Sequence, residues 1–190
     1  LALARSLPKR ALLVVDEAYA EFAEPQAVYS TMARFGQTDN VVVLRTFSKL
    51  YGLAGLRLGF GVLPPAIADY LLRVRLPFSV NLLAEAAGLA ALEDVDFVAA
   101  SLAAVSRGRV LLAEKLTSLG CKVYPSMANF LMFVPPTPAA DVFEGLLRRG
   151  IIARSLKSYG LPDMLRVSIG NDEENEAFLA AMKDIRDHGF

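Results

Sequence analysis

Cysteine is nearly absent: Cys121 is the only one among 190 residues. An internal disulfide is therefore excluded, and the chain reads as intracellular, with a one-cysteine secreted domain as the alternative. Cys121 itself is expected to be a small buried residue near a strand. Histidine is equally scarce, and His188 stands alone near the end. Histidine-activated nucleophiles and histidine-rich metal sites lose their support, and no metal is expected. His188 is read as a solvated residue of a last helix. Neither sign of charge is in excess, because 20 Lys and Arg side chains balance 20 Asp and Glu. No general basic field for nucleic acid results. No apolar run reaches the roughly 18 residues that a membrane helix needs. The opening run Leu1 to Leu7 contains Arg5 and Ser6 and lacks a signal-peptide layout. What is present is 54% apolar residues, enough for a real core. The length fits one domain, or one domain and part of another. A small-molecule partner in the cytoplasm is the expectation.

The apolar runs set the organisation. Ala11 to Val15 reads as a buried strand ended by Asp16 and Glu17, Asn40 to Leu44 as a second strand, and Leu56 to Leu63 as a third. These runs do not alternate, which suits a mostly parallel sheet covered on both faces. A weak helix is placed over Pro25 to Phe35, with helices over Ala66 to Val74 and Asn81 to Leu92. The longest helix is placed over Asp94 to Leu119, with a break at Gly108 and a C-cap at Gly120. Strands follow at Cys121 to Tyr124, Asn129 to Val134, Ile151 to Arg154 and Leu165 to Ile169. Helices follow at Ala139 to Arg149 and Asp172 to His188. The fold class is α/β, with a domain over residues 1–94 and a smaller α/β domain over 95–190.

Several side chains carry chemistry at the ends of these strands. Asp16 ends a strand, where ligand sites of α/β sheets lie. It is either a turn acid or a group that holds a protonated ring nitrogen or a metal. Tyr19 either packs or donates its hydroxyl to a ring oxygen. Thr46, Ser48 and Lys49 follow the second strand, and hydroxyls with exposed amides there make an anion cradle. Lys49 is a solvated loop residue, a phosphate partner or a nucleophile. The Gly-x-x-x-x-Gly-Lys order is absent, so this is not a nucleotide P-loop. Arg57 can fork onto a phosphate. Arg154 and Arg166 are surface residues or, together, a carboxylate or phosphate clamp. Asn129 caps a turn or bonds a substrate.

The segments Val-Val-Asp16-Glu-Ala-Tyr19-x-Glu-Phe and Leu-Arg-Thr46-Phe-Ser48-Lys49-x-x-Gly-Leu-Ala-Gly-Leu-Arg57-x-Gly resemble a known family. So do Pro77-Phe-Ser-Val-Asn81, Ser126-Met-Ala-Asn129-Phe, Tyr159-Gly-Leu-Pro162 and Leu165-Arg166-Val-Ser-Ile-Gly170. The family is the fold-type I pyridoxal-phosphate aminotransferases, and the likeness is strongest to its histidinol-phosphate branch. The resemblance implies pyridoxal 5'-phosphate as cofactor. Lys49 would hold it covalently and shuttle a proton, Asp16 would keep its pyridine nitrogen protonated, and Tyr19 would bond its ring oxygen. Thr46, Ser48 and Arg57 would bind its phosphate. Arg166, Arg154 and Asn129 would serve the substrate. The implied reaction moves an amino group from glutamate to imidazole-acetol phosphate, within a homodimer, in histidine biosynthesis. Aromatic amino acid aminotransferases and threonine-phosphate decarboxylases are the alternatives, with a non-catalytic folding or oligomerisation unit as a reading of another class. Since family members are about twice this length, the resemblance is read as a C-terminal half only. The fold would then be a partial large domain, with a mostly parallel sheet, plus a small C-terminal domain. Such a piece is expected to hold cofactor poorly and to associate through its exposed sheet edge.

Overall fold

The computed structural model describes residues 2–189. The backbone separates into two compact units, Leu1–Ala99 and Ala100–Phe190. The first contains α1 (Ala2–Ser6), β1 (Leu13–Asp16), α2 (Gln26–Tyr29), β2 (Val41–Thr46), β3 (Gly59–Val62), α3 (Pro65–Val74) and α4 (Leu82–Glu93). Helix α5 (Val95–Ser118) runs through the boundary. The second unit continues with β4 (Lys122–Val123), β5 (Phe130–Val134), α6 (Ala139–Arg148), β6 (Arg154–Ser155), β7 (Leu165–Ser168) and α7 (Asp172–His188).

The first sheet has the order β1-β2-β3. Strands β1 and β2 are parallel and in register, with Asp16 opposite Leu44. Strands β2 and β3 are antiparallel, with Thr46 opposite Gly59. The expected mostly parallel sheet is therefore corrected to a mixed one. The reason lies in residues 47–58, which hold only a single 3-10 turn, Ala54–Leu56. The Phe47 amide donates to the Leu58 carbonyl at 3.1 Å. The connection is pinched at its base, so the chain returns beside β2 instead of crossing over a helix to a parallel position. Cover on both faces is only partial: Val42 is buried on the second face at 5% exposure, but its neighbours there are not. Val41 and Val43 pack with Ala4, Leu13, Val15, Met32 and Phe35 on one face. On the other, Val14 is 55% and Leu44 41% exposed.

The second sheet, β4-β5-β7-β6, is antiparallel throughout. Its strands alternate: Leu131 and Phe133 on β5, and Leu165 and Val167 on β7, face a core with Leu112, Leu116, Val142, Leu146, Phe178 and Met182. Helices α5, α6 and α7 supply the other layer. Glycine stop signals work as the sequence suggests. Gly120 and Gly150 have φ of +85° and +76°. After each, the following amide reaches back to a helix carbonyl, Cys121 to Leu116 and Ile151 to Leu146, both at 3.0 Å. That capping bond occupies Ile151, so β6 begins only at Arg154 rather than at the expected Ile151. The break expected at Gly108 does not occur. A Cβ there would lie 2.6 Å from Ile169 Cγ2 and 2.9 Å from Asn175 Nδ2, so this glycine serves close approach within an unbroken helix. Helix α7 opens with a capping box, in which Asn171 accepts from the Glu174 amide and Glu174 accepts from the Asn171 amide. Cys121 is buried, and burial pushes its thiol up to about 11, so it is an inert core residue. His188 is exposed and meets Asp184 at 2.9 Å.

Candidate active site

Parallel pairing of β1 and β2 brings their C-terminal ends side by side, which is where chain direction exposes the turns that follow. Asp16 ends β1 and Thr46 ends β2. Both side chains cap their own turns: the Ala18 amide donates to Asp16 Oδ1 at 3.0 Å, and the Ser48 amide to Thr46 Oγ1 at 3.0 Å. In the turn after β2, Phe47 and Leu50 are the buried residues. Phe47 stacks near Tyr51 and Phe60, with ring centroids 5.0 and 6.0 Å away. Their inward anchoring leaves Ser48 and Lys49 between them on the pocket side.

An open pocket of about 320 Å³ is lined by Asp16, Ala18, Leu44, Arg45, Thr46, Ser48, Lys49 and Arg57. Five of the residues singled out in the sequence thus share one hollow. Tyr19 joins them, because Lys49 Nζ lies 5.1 Å from the centre of its ring. Arg57 reaches this place through a left-handed backbone, φ 56° and ψ 42°, uncommon for a side chain of its size. It donates to the Ala54 carbonyl at 2.8 Å, which fixes part of the guanidinium and leaves the rest for the pocket. Gly59 is required for the same approach: a Cβ there would lie 2.8 Å from the Arg45 carbonyl. One carboxylate, one amine, two hydroxyls and two guanidinium groups, those of Arg45 and Arg57, therefore line a hollow of cofactor size. This donor set fits a group with a phosphate, a basic ring nitrogen and an aldehyde carbon.

Arg154, Arg166 and Asn129 lie in the second unit. Arg154 and Arg166 are direct partners across β6 and β7. A guanidinium at either position is of the kind that forks onto a carboxylate or phosphate. Each rests on an aromatic ring: Arg154 lies 5.4 Å from the Tyr159 ring centre and bonds its hydroxyl at 3.1 Å, and Arg166 lies 4.9 Å from that of Phe130. Asn129 sits just before β5 and its carbonyl accepts from the Ile169 amide at 2.9 Å.

Two further charged residues, Glu17 and Arg45, have partners that no local pattern in the sequence signals. Glu17 is 5% exposed. Its carboxylate accepts from Arg45 Nε and Nη2 at 3.1 and 2.7 Å, from Ser30 Oγ at 2.8 Å, and from the Thr31 hydroxyl and amide. Arg45 also bonds Glu21 at 2.8 Å. Burial pushes the Glu17 carboxyl up, but the bonds from Thr31, Ser30 and Arg45 outweigh it and leave it below its ordinary value. Burial works against the Arg45 charge as well, yet Glu17 and Glu21 hold it above the usual range. The signal available was positional: each charged residue adjoins a pocket residue at the end of a strand.

Comparison with known proteins settles the family. The family model for aminotransferase class I and II matches residues 1–182. The chain belongs to this family. It is 60% identical over 185 residues to a histidinol-phosphate aminotransferase of Nitratidesulfovibrio vulgaris (strain DP4), covering 97% of this chain and 50% of that protein. It is 48% identical to one from Anaeromyxobacter sp. (strain Fw109-5), covering 93% and 49%. A histidinol-phosphate aminotransferase of Sinorhizobium meliloti, solved in complex with pyridoxal-5'-phosphate, superimposes with a TM-score of 0.88 at 30% identity, over 97% of this chain and 51% of that one. This reach corrects two expectations. The likeness is not a C-terminal half only, since it takes in nearly the full chain from residue 1 onward. Nor is the sheet mostly parallel, since the α/β architecture shared over both units has one mixed and one antiparallel sheet. The chain spans about half the length of the curated relatives it matches. Among the described residues, no helix is long and apolar enough to cross a membrane.

Proposed function

We propose that the chain acts in a pyridoxal-phosphate-dependent aminotransferase that moves an amino group from glutamate to imidazole-acetol phosphate, giving L-histidinol phosphate. The observation that carries this reading is the convergence of Asp16, Tyr19, Thr46, Ser48, Lys49 and Arg57 on one pocket. When bound, pyridoxal phosphate supplies an electron sink for the carbanion at the substrate α carbon. Lys49 Nζ would hold the cofactor covalently and, once displaced by substrate, would take the proton from the substrate α carbon. The Asp16 carboxylate keeps the proton on the pyridine nitrogen. The Tyr19 hydroxyl bonds the ring oxygen. The Thr46 and Ser48 hydroxyls and the Arg57 guanidinium hold the phosphate. Arg166 takes the carboxylate of glutamate, Arg154 offers a second anion contact, and Asn129 orients the substrate.

The reading includes a cytoplasmic homodimer. The exposed apolar side chains of α3 and α4, among them Leu72, Leu82 and Leu83, support self-association. The test is pyridoxal phosphate added to the chain and fixed by borohydride, followed by peptide mapping. Attachment at Lys49, lost in Lys49→Ala, is the expected result. Attachment that does not depend on Lys49 overturns the assignment. Amino transfer from glutamate, followed with imidazole-acetol phosphate and with aromatic keto acids, then tests the acceptor.

A further inference from the structure

We propose that Glu17 and Arg45 form a positioning clamp that holds the Asp16 end of β1 and the Thr46–Lys49 turn after β2 against the same pocket. This rests on the cofactor reading above. Glu17 directly follows Asp16 and Arg45 directly precedes Thr46. The Glu17 amide already bonds the Leu44 carbonyl at 2.9 Å, which ends the parallel ladder between the strands. Beyond that bond, backbone pairing with β3 holds the base of the turn after β2, through the Phe47 amide and the Leu58 carbonyl, but nothing in the parallel ladder ties this turn to the one after β1. The side chains supply the link. Arg45 presents two nitrogens to Glu17 Oε2 and a third to Glu21, while Ser30 Oγ bridges both partners, donating to Glu17 and accepting from Arg45. The clamp thus spans both strand ends and the irregular segment between Glu17 and Thr31. No buried side-chain polar atom is left without a partner among the described residues.

Stability alone is a poor account of this pair. Burying two charges costs much of what their attraction returns, and packed apolar residues of similar volume would hold the segment as well. What apolar residues lack is direction. A guanidinium fork fixes an angle between its partners that neither an ammonium nor a methyl group can fix. The residues so aligned are those whose neighbours line the pocket, and Arg45 lines the pocket as well.

Two readouts on the whole 190-residue chain test the clamp. The first needs no cofactor: amide hydrogen exchange at Ala18 and Ser48, whose bonds to Asp16 and Thr46 report the two turns. In Arg45→Lys, exchange at these amides is expected to rise about tenfold, with Val42 and Val43 inside β2 nearly unchanged. Equal change at all four, or none, overturns the clamp. The second readout is the pyridoxal phosphate concentration that half-saturates Lys49, measured for Arg45→Lys, Glu17→Gln and the core control Val43→Ala. The clamp variants are expected to need about tenfold more cofactor, and the control less than about twofold more. A control that weakens uptake as much as the clamp variants overturns the proposal, because the effect would then be general loosening. Wild-type chain that takes up no cofactor at Lys49 defeats the function proposed above, and the exchange pattern alone then decides the clamp.

Discussion

The two units divide the work of the molecule unequally. Among the described residues the second encloses a core of sixteen buried apolar residues, drawn from α5, α6 and α7, from β5 and β7, and from Cys121, Ala153 and Ile169 beside the strands. Among the described residues the first gathers a smaller cluster, Ala4, Val41 and Val43, with Phe22, Val42, Phe47, Leu50 and Ala84 buried outside it. It leaves large apolar side chains of α3 and α4 in solvent, Leu82 at 78% exposure among them. Yet the first unit holds the lysine, the carboxylate and the hydroxyls of the pocket. The difference teaches that the chemistry of this chain does not sit on its best-packed part. Strand ends, turns and one buried ion pair set the site, whereas apolar burial sets the stability of the other unit.

The comparison predicts different responses to mutation. The largest effect is Lys49→Ala, which should lower amino transfer by about 10⁴-fold, the upper end for losing a proton-transfer group, while leaving thermal unfolding almost unchanged. A large drop in melting temperature would show that this turn also carries stability. Next comes Phe133→Ala in the core of the second unit, expected to cost about 3–5 kcal/mol in urea unfolding. In the first unit, Glu17→Gln should cost about 1.5–3 kcal/mol, because it removes the charge that accepts two bonds from buried Arg45 and leaves the pairing to Glu21. This residue also sets a pH dependence. Its carboxyl lies below its ordinary value of 4.5 in the folded chain, so the unfolded chain takes up the proton first as pH falls. The stabilisation is full above that ordinary value and is lost as pH drops through the lowered folded value. Acid titration of unfolding should show a loss there that Glu17→Gln flattens, and a wild-type profile indifferent to pH in that range would break the assignment. Gly108→Ala should cost about 1–3 kcal/mol by overpacking against Ile169 and Asn175. Asn171→Ala, which removes a cap, should cost about 1 kcal/mol. Both can be read from denaturant midpoints.

Much of the second unit was legible because its signals are local. The helix expected from Asp172 starts there, held by the bonds between Asn171 and Glu174, and Gly120 and Gly150 announce helix ends through bonds made within a few residues. The strand Leu165 to Ile169 was placed within one residue of its observed end for the same reason: apolar alternation and a following cap bound it. The first sheet was harder. Apolar runs at Val41 and Gly59 show strands but not their direction, since the direction of β3 depends on how the turn between them closes. The pocket residues were visible as residue types at strand ends. Arg45 was not, because its partners Glu17, Glu21 and Ser30 lie 28, 24 and 15 positions away.

The family, through motifs such as Thr46-Phe-Ser48-Lys49, and the places where helices begin and end follow from the order of residues alone. These depend on side-chain identity and short-range bonding, which a linear string carries. The antiparallel course of β3, the fit of Gly108 against Ile169 within an unbroken helix, and the meeting of Glu17 and Arg45 come from the folded chain. Each of these depends on which distant residues share one space, and chain closure and packing settle that together.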